Sequence, residues 1–395
     1  MFNQFSENVR GEELLKIGVI GMGNCGGQMA DAASEEGFDA VAINASEKDL
    51  GLLSEAVITI PVGDGKGTGK NRDEAASFFL DRINMVQDPV FSKFVDDHDV
   101  IVVVTSIGGG FGSGASLILV DVLNKMTEGN KVIIPVGVIP FEDESYTAQN
   151  HAIAWLQDLA EMELSYMIYD NTIFHTLPKK IAHDKVNVQF VNDLKVIRGD
   201  MIFDTVSGGI DNRDMLTAIS IPGRIIVDSI PLLEAADVLN DSIVATIKDH
   251  MKKFSAHAEM VDDKVIKASA FMYTLRDEFD NYKAGIKGQV QETFGAHIND
   301  YDNFVDVTGD SNISDAVAMI LTGLSSPVRR IDRLIAKRDK LKDEIMGQKS
   351  ATSKLAGVKT DEDGLKVKAK SFADPSVKKQ SANDFLSNYV ANRKK

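Results

Sequence analysis

The chain has 395 residues, of which 44% are hydrophobic and 26% are charged, and its formal net charge is −16. This length allows two domains with full cores, and the acidic balance argues against nucleic-acid binding by the body of the protein. No apolar run reaches the roughly 18 residues of a membrane helix, and the first residues lack the features of a signal peptide. A single cysteine, Cys25, excludes an internal disulfide and a cysteine-based zinc site, and the seven histidines show no ligand spacing. We therefore expect a cytoplasmic protein with no membrane partner and no metal held by its own side chains.

The charge is unevenly distributed along the chain. Residues 365–395 carry eight basic and two acidic side chains, a net charge of +6, which leaves −22 on the other 364 residues. From residue 347 onward, Lys, Ser, Thr, Ala and Asp predominate and apolar anchors are few, which predicts a flexible tail. The sequence therefore predicts an acidic body that carries a basic tail.

The first half of the chain alternates apolar runs with helical patterns. Strands are predicted at 16–20, 40–44, 56–60, 100–104, 131–140 and 166–169. This alternation is typical of an open, mainly parallel sheet with helices on its faces. Later in the chain, helical periodicity covers 184–206 and 328–346, and further strand-like runs occupy 223–229, 265–273 and 303–307.

The most informative segment is 108–114, Gly-Gly-Gly-Phe-Gly-Ser-Gly, which lies between a buried strand and a helix. Five glycines in seven positions are costly in conformational entropy, and a merely structural turn does not explain them. A strand that leads through such a loop into a helix brings backbone N–H groups and the positive end of the helix dipole to one point. The segment therefore predicts a phosphate-binding loop.

Two more glycine-rich segments follow predicted strands. Residues 21–26 fit the dinucleotide fingerprint G-x-G-x-x-G, but Asn44 stands where a Rossmann fold needs an acidic residue for the ribose. Residues 63–70 look like a P-loop with the wrong spacing, and a flexible surface loop is the alternative for them. Together, the three strand–loop–helix junctions predict a nucleotide polyphosphate at the carboxyl edge of the sheet. An NAD-dependent dehydrogenase is the alternative of another class.

These motifs resemble the tubulin/FtsZ family. Residues 108–114 are similar to its signature G-G-G-T-G-[ST]-G, and residues 23–28 are similar to the first phosphate loop of tubulin, G-Q-C-G-N-Q. The resemblance covers roughly residues 16–215 and implies binding of GTP or GDP, with Mg²⁺ coordinated by phosphate and water. It also implies a ribose contact near Glu144 and guanine contacts at Asn171 and Asn192. The nucleotide-binding residues that it implies are Gly23, Asn24, Cys25, Gln28, Gly67, Thr68, Gly69, Gly108, Gly109, Gly110, Phe111, Gly112, Ser113, Gly114, Glu144, Asn171 and Asn192.

Two acidic residues resemble the synergy loop of this family, N-x-D-x-x-D. They are Asp211 and Asp214, and in the family this loop belongs to one subunit and completes the GTP site of the next. The resemblance implies a catalytic role, because carboxylates near the γ-phosphate can position the attacking water. It therefore implies a GTPase whose activity depends on head-to-tail self-assembly. Because Asp favours turns, a solvated turn is the alternative.

Several positions depart from the family pattern. Phe111 replaces the usual Thr of the signature, and Gly209 replaces the Asn of the synergy loop. Ala148 occupies the place of an Arg that often contacts the ribose. Val188 stands where an aromatic ring would stack on guanine, with Phe190 as the nearest replacement. These departures indicate a divergent branch of the family.

The resemblance implies an α/β fold with a parallel-sheet nucleotide-binding domain, a long central helix, a second, smaller α/β domain, a C-terminal helix and a flexible basic tail. The expected organisation is an N-terminal extension (1–15), the GTP-binding domain (16–183), the central helix (184–206), the synergy loop and link (207–222), the second domain (223–327), the C-terminal helix (328–346) and the tail (347–395).

The C-terminal region is similar to that of the TubZ branch, the plasmid- and phage-DNA segregation tubulins, whose C-terminal region engages a small DNA-bound adaptor complex. The basic tail suits a partner with phosphates nearby, and an ordinary solubilising end is the alternative. The resemblance thus implies a homopolymer that segregates DNA in a bacterial cytoplasm through a DNA-binding adaptor protein. An FtsZ-like division or phage-positioning filament and a non-hydrolysing structural filament are the alternatives within the family.

Overall fold

A computed structural model describes residues 14–199, 212–231, 268–275, 302–308 and 316–356 of the chain. The chain divides into two compact units, Met1–Ile335 and Ala336–Lys395. In chain order the strands are β1 Ile17–Met22, β2 Asp39–Asn44, β3 Ile58–Pro61, β4 Val100–Ser106, β5 Val132–Ile139, β6 Ser165–Asp170, β7 Gly223–Pro231, β8 Ala268–Leu275, β9 Asp302–Thr308 and β10 Ala316–Leu324. Within the described residues these ten strands form one sheet in the order β3-β2-β1-β4-β5-β6-β7-β10-β8-β9.

Helices connect most of the strands of the first unit. They are α1 Gly23–Glu35, α2 Glu47–Leu50, α3 Arg72–Asp81, α4 Pro89–Asp97, α5 Phe111–Met126, α6 Tyr146–Ala160, α7 Lys179–Arg198, α8 Asn212–Ile219 and α9 Val328–Ala356, with short 3₁₀ helices at Ile83–Gln87 and Asn171–Phe174. Helix α9 begins in the first unit and continues into the second. No helix among the described residues combines the length and the apolar character needed to span a membrane.

The first six strands of the sheet are parallel, so their carboxyl ends meet at one edge. Strand β1 lies between β2 and β4. This is the point where the strand order reverses, and open α/β sheets bind ligands in the crevice at such a point. The loops after β1 and β4 therefore flank the expected ligand crevice.

Apolar side chains cover the sheet on both faces, as parallel sheets require. On one face, α1 and α7 contribute Met29 and Phe190 to a core with the β4 residue Val102. On the other face, Trp155 of α6 and Leu334 of α9 are fully buried in a second cluster. Successive residues of a strand point to opposite faces, so β5 contributes Val138 to the first cluster and Ile139 to the second.

Strand β7 extends the sheet beside β6, with which it pairs in parallel at its first two residues. Strand β10 then pairs with β7 and β8 in antiparallel orientation. Strand β10 is not apparent from the sequence, because Ala316–Leu324 contains several Ala, Met and Leu residues that favour helices locally. Its pairing on both sides determines the strand. The boundary between a GTP-binding domain and a second domain stays a prediction.

Two predicted helix boundaries are wrong. The central helix was expected at 184–206, whereas α7 runs from Lys179 to Arg198. It begins after Pro178, whose fixed φ suits a helix start, and it ends at Gly199, which has a left-handed φ of 89°. The C-terminal helix continues ten residues beyond the expected end at 346, through Gly347. A glycine inside a helix costs only about 1 kcal/mol, so Gly347 alone does not end it.

Candidate functional site

The glycine loops after β1 and β4 are in direct contact. A Cβ atom on Gly112 would lie 1.8 Å from Thr105 Oγ1 and 2.6 Å from the Met22 carbonyl oxygen. A Cβ atom on Gly23 would lie 3.1 Å from the Gly112 backbone nitrogen. Thr105 Oγ1 donates to the Met22 carbonyl at 3.0 Å, which joins the carboxyl ends of the two strands. The sequence therefore needs glycine at 112 because backbone occupies the space of a side chain.

The loop at 63–70 reaches the same place. A Cβ atom on Gly110 would lie 2.6 Å from Thr68 Oγ1 and 2.6 Å from Lys70 Cα. Thr68 is buried, and the backbone N–H of Gly67 donates to the Ala45 carbonyl at 2.8 Å. The loop is thus anchored to both the 108–114 loop and the turn after β2, which a flexible surface loop would not be. The structure brings all three glycine-rich segments together.

The helices that start at the first and third glycine segments, α1 and α5, lack a side-chain cap at the N-terminus. Helices α2, α3, α4 and α6 begin at residues whose side chains accept a backbone N–H bond, namely Ser46, Asn71, Asp88 and Ser145. Helices α1 and α5 begin at Met22 and Gly110, and neither start has a side-chain cap. The first N–H groups of two helices and the positive ends of two helix dipoles therefore meet at the touching loops. An anion such as phosphate is stabilised by this arrangement.

Two side chains of the 108–114 loop point into the protein. Phe111 is 5% exposed and Ser113 is 2% exposed. The Ser113 hydroxyl donates to the Gly109 carbonyl and, at 3.2 Å, to the Gly110 carbonyl. The Ser113 hydroxyl proton is therefore used within the loop itself. Both side chains shape the loop, and its backbone N–H groups are what remains for a ligand.

The structure adds two basic side chains to this loop, His151 and Arg72. His151 Nδ1 donates to the Gly109 carbonyl at 2.8 Å, and Arg72 Nε donates to the Ser113 carbonyl at 3.1 Å. Burial lowers the pKa of His151, the hydrogen bond to Gly109 opposes this change, and the charges of Arg72 and Lys70 lower the pKa further, so the net shift favours the neutral ring. Arg72 lies two residues after the 63–70 segment, and this position in the sequence indicates that it could reach the site. For His151, only the fold shows the contact.

The loop after β5 is held by its own side chains. Glu144 Oε1 accepts from the Phe141 backbone N–H at 3.1 Å, and Gln149 Nε2 donates to the Phe141 carbonyl at 2.8 Å. Burial raises the pKa of the Cys25 thiol to about 12, and the nearby charge of Glu144 raises it as well. The thiol stays protonated, which agrees with a small residue that admits a ligand rather than a reactive cysteine.

Asn171 lies directly after β6 and is 6% exposed. Among the described residues its side-chain oxygen, Oδ1, has no hydrogen-bond partner. A buried polar atom left without a partner costs about 1–3 kcal/mol, so this oxygen is suited to accept a bond from a ligand. The edge of a guanine base carries N–H donors that fit such an acceptor.

Other predicted base and phosphate contacts lie on exposed surfaces. Asn192 is exposed on α7, and Val188 lies one turn before it and is 56% exposed. Asn24 and Gln28 are also exposed at the start of α1. Phe190 was considered as the replacement for a stacking ring, but it is fully buried and contacts Tyr169 edge-on at 6.0 Å. That expectation is wrong, because the helix turns Phe190 toward the core.

The structure does not bring Asp214 to the glycine loops of its own chain. Asp214 is exposed in the first turn of α8, which leads into β7. Strand β7 begins at Gly223 beside Ser165, the first residue of β6, so α8 leads to the amino edge of the sheet. The phosphate loops lie at the carboxyl edge, about 20 Å away along a strand of this length. Asp211 and Gly209 lie outside the described residues.

The end of β2 bears on the dehydrogenase alternative. Asn44 is 4% exposed there, its Oδ1 accepts from the Ser46 backbone N–H at 3.3 Å, and its Nδ2 donates to Asp49 Oδ2 at 3.4 Å. A Rossmann fold needs an acidic residue at this position to bind the ribose. Here Asn44 stands there instead, and its side-chain amide makes hydrogen bonds within the turn that follows β2.

Comparison with known proteins finds one matching family model and several similar relatives. Residues 16–177 match the model of the tubulin/FtsZ family, GTPase domain. The chain is 27% identical over 204 residues to the tubulin-like protein CetZ of Methanothrix thermoacetophila, which covers 46% of this chain and 55% of the relative. It is 25% identical over 201 residues to CetZ1 of Haloferax volcanii, covering 47% and 50%. The chain spans about half the length of the curated relatives that it matches.

Solved structures extend the likeness to the fold. A GTPγS-form protofilament of TubZ from Bacillus thuringiensis serovar israelensis has a TM-score of 0.69 at 18% identity and covers 88% of this chain and 96% of that one. The GTPγS-bound protofilament of CetZ2 from Haloferax volcanii has a TM-score of 0.67 at 17% identity and covers 84% and 100%. The described strands and helices therefore form the tubulin/FtsZ fold, and residues 16–177 match the GTPase-domain model of the tubulin/FtsZ family.

Proposed function

We propose that this protein binds and hydrolyses GTP and polymerises head to tail, with hydrolysis completed at the contact between subunits. One observation carries the proposal: the glycine loops after β1 and β4 meet at two helix starts that lack side-chain caps. The family match over residues 16–177 supports it independently.

The nucleotide fits the site in a defined direction. Backbone N–H groups of the 23–28 and 108–114 loops would hold the phosphates, with Thr68 beside them. Glu144 would contact the ribose through the carboxylate oxygen that does not accept from Phe141. The buried Oδ1 of Asn171 and the exposed side chain of Asn192 would contact the guanine base. Bound Mg²⁺ would neutralise phosphate charge, coordinated by phosphate oxygens and water.

The catalytic carboxylates of this proposal come from a second molecule. Asp214 lies on the helix that leads to the amino edge of the sheet, whereas the phosphate loops lie at the carboxyl edge. Stacking the amino edge of one chain on the carboxyl edge of the next brings Asp211 and Asp214 to a neighbour's phosphates. There they would orient the attacking water. The protofilaments formed by the similar TubZ and CetZ2 proteins support this arrangement.

The biological role that we propose is DNA segregation in a bacterial cytoplasm. The net charge of +6 on residues 365–395 suits a DNA-bound adaptor protein, because DNA phosphates would add to the attraction. The fold similarity to TubZ supports this branch. The chain is also similar in sequence to CetZ proteins. Recruitment of an adaptor–DNA complex by the tail tests whether the chain has the role that we propose.

Sedimentation and GTPase rate test the proposal together. We expect pelleting with GTP and with GTPγS but not with GDP, and a GTPase rate that appears only above a critical protein concentration. The variants Asp211→Ala and Asp214→Ala should still pellet with GTP but hydrolyse it at least roughly tenfold more slowly. Asp184→Ala, an acidic residue on another helix, is the control. A rate strictly proportional to protein concentration would refute assembly-dependent hydrolysis, and binding without turnover would favour a structural filament.

A further inference from the structure

A buried arginine of α9 joins two segments of the carboxyl edge. Arg330 is 2% exposed, and its Nε donates to Asp170 Oδ2 at 2.7 Å. Its Nη2 donates to the Pro140 carbonyl at 2.9 Å. Pro140 directly follows β5 and Asp170 ends β6, so one guanidinium holds the ends of two neighbouring strands. We name Arg330, Asp170 and Pro140 the arginine clamp.

Packing alone does not explain an arginine at this position. Leu334, one turn later on α9, is fully buried in the apolar cluster around Trp155, and Ile331 packs against the same cluster. A buried ion pair often adds no net stability compared with apolar side chains of similar volume. The remaining guanidinium nitrogen, Nη1, is also buried and has no hydrogen-bond partner among the described residues. The clamp therefore suggests a role in fixing geometry.

The contacts of Asp170 lead directly to the proposed base contact. While Asp170 Oδ2 accepts from Arg330, its Oδ1 accepts from the Thr172 backbone N–H at 3.0 Å. This second bond closes a turn around Asn171, which lies between the two residues. The position of the Asn171 side chain is thus set by a carboxylate that Arg330 holds in place.

The contact with Pro140 leads to the proposed ribose contact. Pro140 is followed by Phe141, whose N–H is bound by Glu144 and whose carbonyl is bound by Gln149. Arg330 fixes the start of this short loop, and Glu144 of the loop and Gln149 of α6 fix the rest. One side chain therefore positions the segments that carry Glu144 and Asn171.

We propose that Arg330 is a positioning residue for the nucleotide, acting through Asp170 on Asn171 and through Pro140 on Glu144. The inference rests on the proposed function, since it concerns the base and ribose ends of the same site. A guanidinium can serve both acceptors because its donors form a planar fork, whereas a lysine ammonium is a single point charge. Arg330→Lys therefore keeps the charge and loosens one of the two segments.

The experiment compares GTP with inosine triphosphate, which lacks the exocyclic amine of guanine. In the full-length chain, Arg330→Lys should weaken GTP binding and reduce the preference for GTP over inosine triphosphate by roughly fivefold, the effect of one misplaced hydrogen bond. Asp170→Asn should also weaken GTP binding and reduce the preference for GTP. It provides the test of the positioning role if Arg330→Lys does not fold. Arg333→Gln is the matched control, because Arg333 is 59% exposed on the same helix and pairs with the exposed Glu142 at 3.5 Å.

The outcomes separate this inference from the function on which it rests. If the wild-type chain binds GTP, and folded Arg330→Lys and Asp170→Asn keep both its affinity and its preference, the positioning role is refuted and the proposed function stands. If these variants lose thermal stability but keep the preference, the clamp is purely structural and the inference is again refuted. If the wild-type chain does not bind GTP, both proposals fall.

Discussion

Tyr169 donates its phenolic hydrogen to Asp193 Oδ2 at 2.7 Å, and this bond joins the end of β6 to the central helix α7. Burial raises the pKa of Tyr169 well above its usual value, and the charge of Asp193 raises it as well, so the hydroxyl remains a donor. Asp193 is adjacent to Asn192, and Tyr169 is two residues before Asn171. The proposed base contacts on α7 and after β6 are therefore linked by a buried hydrogen bond.

The first prediction concerns this bond. Tyr169→Phe keeps the ring against Phe190 and removes the donor to a carboxylate, so we expect a loss of about 1.5–3 kcal/mol in the free energy of unfolding. Urea unfolding followed by circular dichroism measures it. Tyr146→Phe at the start of α6 is the control and should change stability by less than about 0.5 kcal/mol. Equal stability of Tyr169→Phe and wild type would contradict the prediction.

The second prediction concerns the contact between the glycine loops. Gly112→Ala places a Cβ atom 1.8 Å from Thr105 Oγ1 and 2.6 Å from a backbone oxygen that cannot easily move. We expect a loss of about 3 kcal/mol or more in unfolding free energy, together with loss of nucleotide binding. Gly109→Ala in the same loop is the control for stability, because its Cβ atom would meet only the Ser106 carbonyl at an ordinary 3.5 Å. If both variants are equally stable, the close approach does not determine the glycine.

The third prediction is a dependence of stability on pH. Burial lowers the pKa of His151 from its ordinary 6.5, so below pH 6.5 the unfolded chain takes up a proton before the folded chain does. The stability that the neutral ring contributes is therefore complete above pH 6.5 and decreases as the pH falls through the lowered folded pKa. Urea unfolding between pH 7.5 and pH 5 measures the slope. His151→Gln should flatten it, whereas His175→Gln, at an exposed histidine, should not; equal slopes in all three proteins would argue against the prediction.

The fourth prediction concerns the basic tail. A chain that ends at Gly364 should pellet with GTP as the full chain does but should no longer recruit an adaptor–DNA complex in co-sedimentation. Replacing Lys366, Lys368, Lys370, Lys378 and Lys379 by Gln keeps the length and should weaken recruitment in the same direction, with a smaller dependence on salt. Loss of pelleting on truncation would instead make the tail part of the filament contact. Unchanged recruitment would contradict the adaptor role.

Much of the parallel sheet could be predicted from sequence because its signals are local. The apolar run at 100–104 and the glycines that follow it indicate a buried strand and a loop with close backbone approach. Strand β10 has no such local signal, because its residues favour helix and become a strand only through pairing with β7 and β8. The bounds of the central helix are not predictable from periodicity, because Pro178 and Gly199 set its termini.

The polar contacts of the candidate site were less predictable. The glycine-rich loops could be predicted from their amino-acid composition. The contact of His151 with Gly109 could not, because it joins residues 42 positions apart. The clamp joins Arg330 to Pro140 across 190 positions, and the sequence around Arg330 reads as an ordinary charged helix. Such pairs depend on the fold, and no local pattern indicates them.

The separation of Asp214 from the phosphate loops gives any row of these chains a direction. On the proposed mechanism, each chain uses its amino edge to act on one neighbour and offers its carboxyl edge to the other. In a row of chains, every nucleotide site except one is completed by the carboxylates of a neighbour. The one site without a neighbour always lies at the same end of the row. The two ends of the row consequently differ in nucleotide state. GTP bound at the uncompleted site persists, whereas GTP at every other site is hydrolysed.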